Sequence, residues 1–189
     1  MTTAIIIHGW SAEPTSDWFP WLRKELEQLG IKCIIPKMPN TDAPEISEWV
    51  AELSSVMQGV GGDIIFVGHS IGCQTIIRYL ERTEGTLKAD AIFVAGWINQ
   101  LMLVEDQDAK IARPWLTLPI DWKMVRPHIS KSVAIFSEDD PYVPLTEAEV
   151  FKRELDSKII VEKDKGHYSL DTGVDSVPAV LDEILLMLK

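Results

Sequence analysis

The sequence has little of several features that mark other classes of protein. Only two of its 189 residues are cysteine, Cys33 and Cys73, and no cysteine, histidine or carboxylate spacing is typical of a metal site. Lysine and arginine together number 18 against 29 acidic residues, and the formal net charge of −11 repels nucleic acid and anionic lipid. The basic residues are scattered among acids rather than gathered in a patch. The composition therefore argues against a nucleic-acid-binding or a metal-dependent protein.

Long apolar runs are also absent. No run approaches the length that spans a membrane, and the first strand-like run follows Met1 without a charged and apolar secretory leader. Two cysteines in such a chain are more typical of buried free thiols in a reducing compartment than of a disulfide. We therefore expect a cytoplasmic protein with no membrane partner, no cofactor and no metal.

Strand and helix patterns alternate along the chain, which is of ordinary length for one domain spanning residues 1–189. This alternation predicts an α/β fold with a mostly parallel, doubly wound sheet and helices on both faces. The predicted strands cover residues 4–7, 31–35, 64–67, 89–95, 131–136 and 158–161. The predicted helices cover residues 17–29, 42–57, 146–155 and 177–188, and one more begins at Ile71. Capping-box spacings predict the helix starts at Asp42 and Thr146.

The most informative motif is Gly68-His69-Ser70-Ile71-Gly72, which directly follows an apolar run. The G-x-S-x-G spacing is typical of a sharp strand-to-helix turn, since glycines two before and two after the serine remove side chains that would collide. We expect Ser70 to lie in strained backbone with its hydroxyl exposed at the tip. Ser70 is therefore the candidate nucleophile, and an ordinary Gly-Ser loop is the alternative.

A candidate acid and base follow in the order that such a nucleophile needs. Asp139 and Asp140 come after the strand at 131–136, and Pro141 favours extended backbone at Asp140, which we select as the acid. The alternative is that the pair only starts a turn. His167 lies in a polar loop after the last strand, where nothing suggests a packed core histidine. We predict that His167 is the general base and that Asp140 orients it.

The first strand ends in His8-Gly9-Trp10, which suggests part of an oxyanion site. Acyl transfer places negative charge on a carbonyl oxygen, and two backbone donors aimed at that oxygen stabilise it. We predict that these donors are the N–H groups of Trp10 and Ile71, with Gly9 permitting a close approach of the backbone. His8 is expected to order this loop by hydrogen bonding. The alternative for His8-Gly9 is a turn that merely ends the strand.

With these motifs the chain resembles a family of small serine hydrolases, that of retinoblastoma-binding protein nine and YdeN. The resemblance covers nearly the whole length and rests on 8–10, 18–22, 38–40, 68–72, 113–115, 139–144 and 166–168. It implies an α/β-hydrolase fold with a minimal cap or none. It also implies a Ser-Asp-His triad that uses the second aspartate of the pair, Asp140. The family brings little information on natural substrates.

The function that we expect is a carboxylesterase-like serine hydrolase. It would cleave a small or medium ester, thioester or activated amide through an acyl-enzyme on Ser70, with a small-molecule acyl compound as substrate. One alternative is a protein-interaction module on a hydrolase scaffold with little turnover, which would bind a protein partner. A second alternative is a peptidase or aminopeptidase-like amide hydrolase.

Residues 97–127 follow no clear pattern, and they contain Trp97, Trp115 and Trp122. These rings either form a short flap that lines an apolar acyl or alcohol pocket or pack this segment onto the sheet. We favour packing. Trp18 and Trp21, three residues apart, are likewise expected in the core.

Overall fold

The computed structural model describes residues 1–102 and 106–189. The strands are β1 Thr3–Ile7, β2 Lys32–Ile34, β3 Ile64–His69, β4 Ala89–Val94, β5 Ile129–Ser137 and β6 Lys158–Glu162. The helices are α1 Phe19–Gln28, α2 Ile46–Met57, α3 Ile71–Glu81, α4 Asp106–Thr117, α5 Trp122–Val125, α6 Glu147–Leu155 and α7 Pro178–Met187. Short 3-10 turns lie at Arg126–His128 and Leu170–Thr172.

The six strands form one sheet in the order β2-β1-β3-β4-β5-β6. Every neighbouring pair is parallel, as in the Ile5 to Phe66 register between β1 and β3. Parallel neighbours need crossover connections, and the helices between the strands supply them. The predicted doubly wound parallel sheet is confirmed.

Side chains alternate between the two faces of the sheet, and each face carries its own apolar cluster. On β3, Phe66 packs with residues of α2, α3 and α6. The next residue, Val67, packs with residues of α1 and α7 on the opposite face. Because successive strand residues point to opposite faces, a strand covered on both sides is apolar along its whole length. Helices therefore cover both faces, as the sequence predicts.

The order of the strands creates a crevice at the carboxyl ends of β1 and β3. The chain runs from β1 out to β2 and then returns to β3 on the other side of β1. Ligands of open parallel sheets bind at such a reversal, outside the carboxyl ends of the strands. His8 and Gly9 follow β1, and Ser70 follows His69, the last residue of β3. The fold therefore brings two of the predicted motifs together.

The segment at 97–127 contains two helices that the sequence did not predict, α4 and α5, and its residues 103–105 lie outside the described part of the chain. Trp97 and Trp115 are buried, which confirms the packing interpretation for both, whereas Trp122 is half-buried. The buried Arg78 guanidinium donates to the carbonyl oxygens of Trp115 and Leu118 at 3.0 and 2.9 Å. A cation beside the last carbonyls of a helix stabilises that end, so Arg78 anchors α4 to α3.

Of the two helix starts predicted from capping-box spacing, the one at Thr146 is confirmed, because α6 begins directly after it, and the one at Asp42 is wrong. Helix α2 begins at Ile46, after an extended Glu45 that makes no side-chain cap. The Asp42 and Pro44 carbonyls instead accept the indole N–H groups of Trp10 and Trp115, so tertiary contacts hold this stretch.

Thr146 precedes α6 as predicted, but its capping hydrogen bond does not form, for a local reason. Thr146 already has helical dihedral angles, with φ −60° and ψ −23°, and its side chain makes no cap bond. A capping side chain normally belongs to a residue in extended backbone, from which it reaches the first free N–H groups. The end of α1 follows expectation, because Gly30 adopts the left-handed conformation with φ 75°.

Within the described residues, no helix is both long and apolar enough to cross a bilayer. Cys33 and Cys73 are both free thiols. Cys73 is buried as expected, but Cys33 is only half-buried because β2 is an edge strand.

Candidate active site

Ser70 occupies a sharp turn between β3 and α3, with φ 53° and ψ −121°. A non-glycine residue with such angles is strained, and the surrounding contacts must hold it there. A Cβ on Gly68 would lie 2.8 Å from the Cys73 backbone, and one on Gly72 would overlap the carbonyl oxygen of Ile7. Both flanking positions therefore require glycine, for the steric reason that the motif suggests.

The Ser70 side chain is less accessible than expected. Only 6% of the residue is exposed, whereas the sequence predicted an exposed hydroxyl at the tip of the turn. The backbone at Gly9 covers part of the side chain, since it lies so close that a Cβ at that position would be 3.5 Å from the Ser70 Cβ. Trp97 contributes as well, since its indole nitrogen lies 3.3 Å from the Ser70 Oγ. Ser70 is therefore a largely covered residue in the wall of a cleft.

His167 and Asp140 are in direct contact beside this cleft. The His167 Nδ1 lies 2.8 Å from Asp140 Oδ2 and 3.1 Å from Oδ1. Oδ1 also accepts the N–H groups of Tyr142 and Val143 at 2.9 and 3.0 Å. The Asp140 side chain is 1% exposed and that of His167 is 13% exposed. With Nδ1 taken by the carboxylate, Nε2 is the ring nitrogen left for another partner.

The neighbouring carboxylate, Asp139, faces away from the imidazole. Its Oδ1 accepts the Ser137 hydroxyl and the N–H groups of Lys165 and Gly166, the last at 3.0 Å. These bonds lower the pKa of Asp139, the hydroxyl bond most strongly. The two adjacent aspartates thus have separate tasks, since one contacts His167 and the other holds the loop that carries it.

The cleft has a volume of about 370 Å³, within the range usual for small-molecule sites, and Ser70 and His167 both line it. Gly9 and Trp10 form part of its wall. None of the described residues that line it is lysine or arginine, whereas three are aspartates: Asp17, Asp108 and Asp171. Burial raises the pKa of Asp17. In the described part of the chain, no three histidine, cysteine or carboxylate side chains are grouped as a metal site.

The two backbone groups predicted as oxyanion donors lie on either side of the strand reversal. Ile71 is the first residue of α3, and N–H groups in the first turn of a helix have no partner within the helix. Among the described residues, the Trp10 N–H donates to no carbonyl or side-chain acceptor, and Trp10 lines the cleft. The helix dipole adds partial positive charge near Ile71. The Trp10 N–H thus lies without an acceptor in a residue of the cleft wall, whereas Ile71 is fully buried and is not one of the described lining residues.

A family model described as "Serine hydrolase" matches residues 4–185 of the chain. The chain belongs to the serine hydrolase family. YdeN of Bacillus subtilis (strain 168) is 29% identical over 178 residues, which cover 94% of this chain and 91% of YdeN. Serine hydrolase RBBP9 of Rattus norvegicus is 27% identical over 172 residues, covering 88% and 87% of the two chains. The family resemblance drawn from the motifs is therefore confirmed.

Solved structures agree with this assignment. The crystal structure of the ydeN gene product from B. subtilis superposes with a TM-score of 0.89 at 27% identity, covering 98% of this chain and 97% of that one. Est1E from Butyrivibrio proteoclasticus superposes with a TM-score of 0.75 at 15% identity, covering 99% and 88%. At that identity the second match supports the fold alone. This serine hydrolase has the predicted α/β-hydrolase fold.

His69 links the two loops of this hydrolase's cleft. Its Nε2 lies 2.8 Å from the carbonyl oxygen of His167, and a carbonyl only accepts, so Nε2 carries the proton. Burial, followed by the neighbouring His167, lowers the pKa of His69 to about 3, which keeps the ring neutral. Its Nδ1 is buried without a hydrogen-bond partner among the described residues. His69 thus belongs to the packed turn, as expected, and fixes the backbone at His167.

His8 orders its loop, as the sequence suggests. Its Nδ1 donates to the Gly9 carbonyl at 2.9 Å, and its Nε2 accepts the Met38 N–H at 3.1 Å. Burial lowers the pKa of His8, which favours this neutral form. His8 therefore connects the β1 loop to the 38–40 turn.

Sequence reasoning missed two features of the hydrolase's cleft. It gave no role near Ser70 to Trp97, whose ring packs in the core while its N–H reaches the Ser70 Oγ. It also missed the three aspartates of the lining, which are far apart in the sequence. The position of Trp97 just after β4 was the one available signal, because residues there meet the same sheet edge as Ser70.

Proposed function

We propose that this hydrolase cleaves small or medium esters, thioesters or activated amides through an acyl-enzyme on Ser70. The observation that carries this proposal is the 2.8 Å contact between His167 and Asp140 at the cleft that Ser70 lines. A serine hydroxyl is a weak nucleophile at neutral pH, and an oriented base activates it once the two come within hydrogen-bond reach. Among the described contacts the Ser70 Oγ bonds to Trp97, so Ser70 and His167 share the cleft without a direct hydrogen bond, and the bond to Nε2 would form when substrate is bound. The family membership supports the same chemistry.

In the acylation step, the Ser70 Oγ attacks the acyl carbonyl carbon while its proton passes to His167 Nε2. Asp140 holds the Nδ1–H tautomer and stabilises the imidazolium that forms. The carbonyl oxygen becomes an oxyanion, which the N–H groups of Ile71 and Trp10 stabilise. The bond to the leaving group then breaks, and the leaving group takes the proton from Nε2.

Deacylation repeats these steps with water as the nucleophile. His167 Nε2 accepts a proton from water, and the hydroxyl attacks the carbonyl carbon of the acyl-enzyme. When the bond between that carbon and the Ser70 Oγ breaks, its electron pair returns to Oγ, which takes back the proton. The acid product leaves, and the hydroxyl and neutral imidazole are restored.

The lining of the cleft supports a preference in substrate charge. Asp17, Asp108 and Asp171 line it without a lysine or arginine among the described residues. An anionic acyl group would be repelled by these carboxylates, whereas neutral and cationic groups would not. We therefore infer that the substrates are neutral or cationic small molecules.

The test uses Ser70→Ala with a fluorophosphonate probe and short p-nitrophenyl esters. We expect Ser70→Ala to lose labelling and ester hydrolysis. Ser11→Ala, which removes another serine hydroxyl at the same cleft, should still label. Labelling of Ser70→Ala would identify a different nucleophile and overturn the proposal.

Two further results would assign other functions. Folded wild-type protein that takes up no fluorophosphonate would favour a binding role for the scaffold. Faster turnover of aminoacyl amides than of acyl esters would instead favour a peptidase.

A further inference from the structure

The Trp97 indole makes a direct contact with the candidate nucleophile. Its Nε1 lies 3.3 Å from the Ser70 Oγ, and the side chain is fully buried. An indole N–H only donates, so the hydroxyl oxygen is the acceptor. One lone pair of Oγ is thereby occupied, and the hydroxyl hydrogen must point elsewhere.

The backbone on both sides of Trp97 is held in place. Gly96 packs so closely that a Cβ there would lie 2.6 Å from the Phe151 ring and 3.0 Å from the Cys73 Sγ. On the other side, the Ile98 N–H donates to the buried Glu147 carboxylate at 2.6 Å. These contacts reach from α3 and α6 to the residue beside the indole on each side. The N–H is therefore preorganised toward Oγ.

We propose that Trp97 is a catalytic residue, whose indole N–H stabilises the negative charge that develops on the Ser70 Oγ. The inference rests on the proposed acyl transfer. Charge develops on Oγ as its proton leaves for His167 during acylation. It develops again when the carbon to Oγ bond breaks during deacylation and the electron pair returns to Oγ. Trp97 keeps its own proton throughout.

This role differs from that of the oxyanion donors. The N–H groups of Trp10 and Ile71 are assigned to the carbonyl oxygen of the substrate, whereas the Trp97 N–H contacts the attacking and departing oxygen. A hydrogen bond to a charged acceptor is about twice as strong as one to a neutral acceptor. The bond is therefore stronger in the transition states than in the resting enzyme or the acyl-enzyme, which is the condition for catalysis.

The experiment compares Trp97→Phe with Trp49→Phe. Trp49 is also fully buried, and its indole N–H donates to the Pro39 carbonyl at 2.8 Å. Both variants lose a bicyclic ring and one indole hydrogen bond, and only Trp97→Phe loses the contact with Ser70. We expect a fall of about tenfold in kcat/KM for p-nitrophenyl esters and in the rate of fluorophosphonate labelling in Trp97→Phe. Trp49→Phe should stay near wild type in both rates.

The pH profile separates a direct effect on Oγ from a disturbance of His167. Because the N–H contacts Oγ and not the imidazole, the plateau of kcat/KM should fall in Trp97→Phe while its inflection stays at the same pH. The second variant carries benzothienylalanine at position 97, which keeps the bicyclic shape and removes only the N–H. It should show the same loss, and it decides the question if Trp97→Phe does not fold.

Wild-type rates in the benzothienylalanine variant would overturn the proposal. So would an equal loss in Trp49→Phe or a displaced inflection, since either result would make the effect structural. Failure of the underlying function is distinguished by Ser70→Ala: activity there refutes acyl transfer on Ser70, whereas an inactive Ser70→Ala beside a fully active Trp97 variant refutes this inference alone.

Discussion

Replacing Asp140 with asparagine changes one carboxylate oxygen into an NH₂ group while keeping the shape of the side chain. Oδ1 accepts the N–H groups of Tyr142 and Val143, and the amide oxygen of asparagine can keep those two bonds. The NH₂ group then takes the place of Oδ2, which lies 2.8 Å from the His167 Nδ1. An NH₂ group only donates, so Nδ1 becomes the acceptor and the ring proton moves to Nε2.

This wrong tautomer sets the size of the expected effect. With a proton on Nε2, His167 cannot accept the proton of the Ser70 hydroxyl. We expect kcat to fall by about 10⁴-fold, the loss typical of this change in a Ser-His-Asp arrangement. That factor corresponds to about 5.4 kcal/mol of transition-state stabilisation. The free energy of unfolding should change far less, by about 1–3 kcal/mol, because most of the bonds to the side chain remain.

The assay is steady-state hydrolysis of p-nitrophenyl butyrate at pH 7, with urea unfolding measured in parallel. Asp139→Asn is the matched control, because its carboxylate binds the N–H groups of Lys165 and Gly166 and does not contact the imidazole. It should lose no more than about tenfold in kcat. Equal losses in the two variants, or an Asp140→Asn enzyme with near wild-type kcat, would refute the assignment of Asp140.

Gly9→Ala should lower kcat/KM by about 10²-fold with little loss of fold, because its Cβ would lie 3.0 Å from the His69 Nδ1 and push the adjacent oxyanion donor aside; an unchanged rate would contradict that donor. Gly72→Ala should destabilise the protein by about 4 kcal/mol or more in urea unfolding, since its Cβ would overlap the Ile7 carbonyl oxygen. Because the pKa of His69 is lowered to about 3 from 6.5, the unfolded chain binds the extra proton between these values, and stability falls as pH falls. Between pH 6 and pH 4 the free energy of unfolding should therefore fall less in His69→Gln than in wild type, and the two slopes should differ by up to about 1.4 kcal/mol per pH unit. Parallel curves of unfolding free energy against pH would contradict a neutral buried ring. Esters with a succinyl group should react more slowly than butyryl esters, and Asp171→Asn should bring the two rates closer together at low salt. Equal rate ratios in Asp171→Asn and wild type would contradict charge selection by the lining.

The elements of the fold follow closely from local patterns. Apolar runs such as 64–67 have no polar face, and a strand covered on both sides of a parallel sheet needs none. Helix starts were harder to predict. The stretch before Ile46 has the composition of a capping box, but its carbonyls bind the indoles of Trp10 and Trp115. Such long-range contacts leave no trace in a local window.

The candidate site likewise contains one feature that a local pattern predicts and one that it does not. Backbone chemistry selected Asp140 over Asp139 from the proline that follows, and the structure has Asp140 in contact with His167. The contact of Trp97 with Ser70 had no such local signal, because it depends on how the chain after β4 packs against α3 and α6.

The sequence by itself determined the alternation of strands and helices, the strained turn at Ser70 and the order in which serine, aspartate and histidine follow one another. The first two properties depend on side-chain size and backbone freedom over a few residues, and the third is read directly from the sequence. Only the tertiary structure decided which distant groups meet at the cleft, namely the indole of Trp97, the three aspartates of its lining and the buried ring of His69. Their positions depend on strand order and on packing between elements, which involve the whole chain at once.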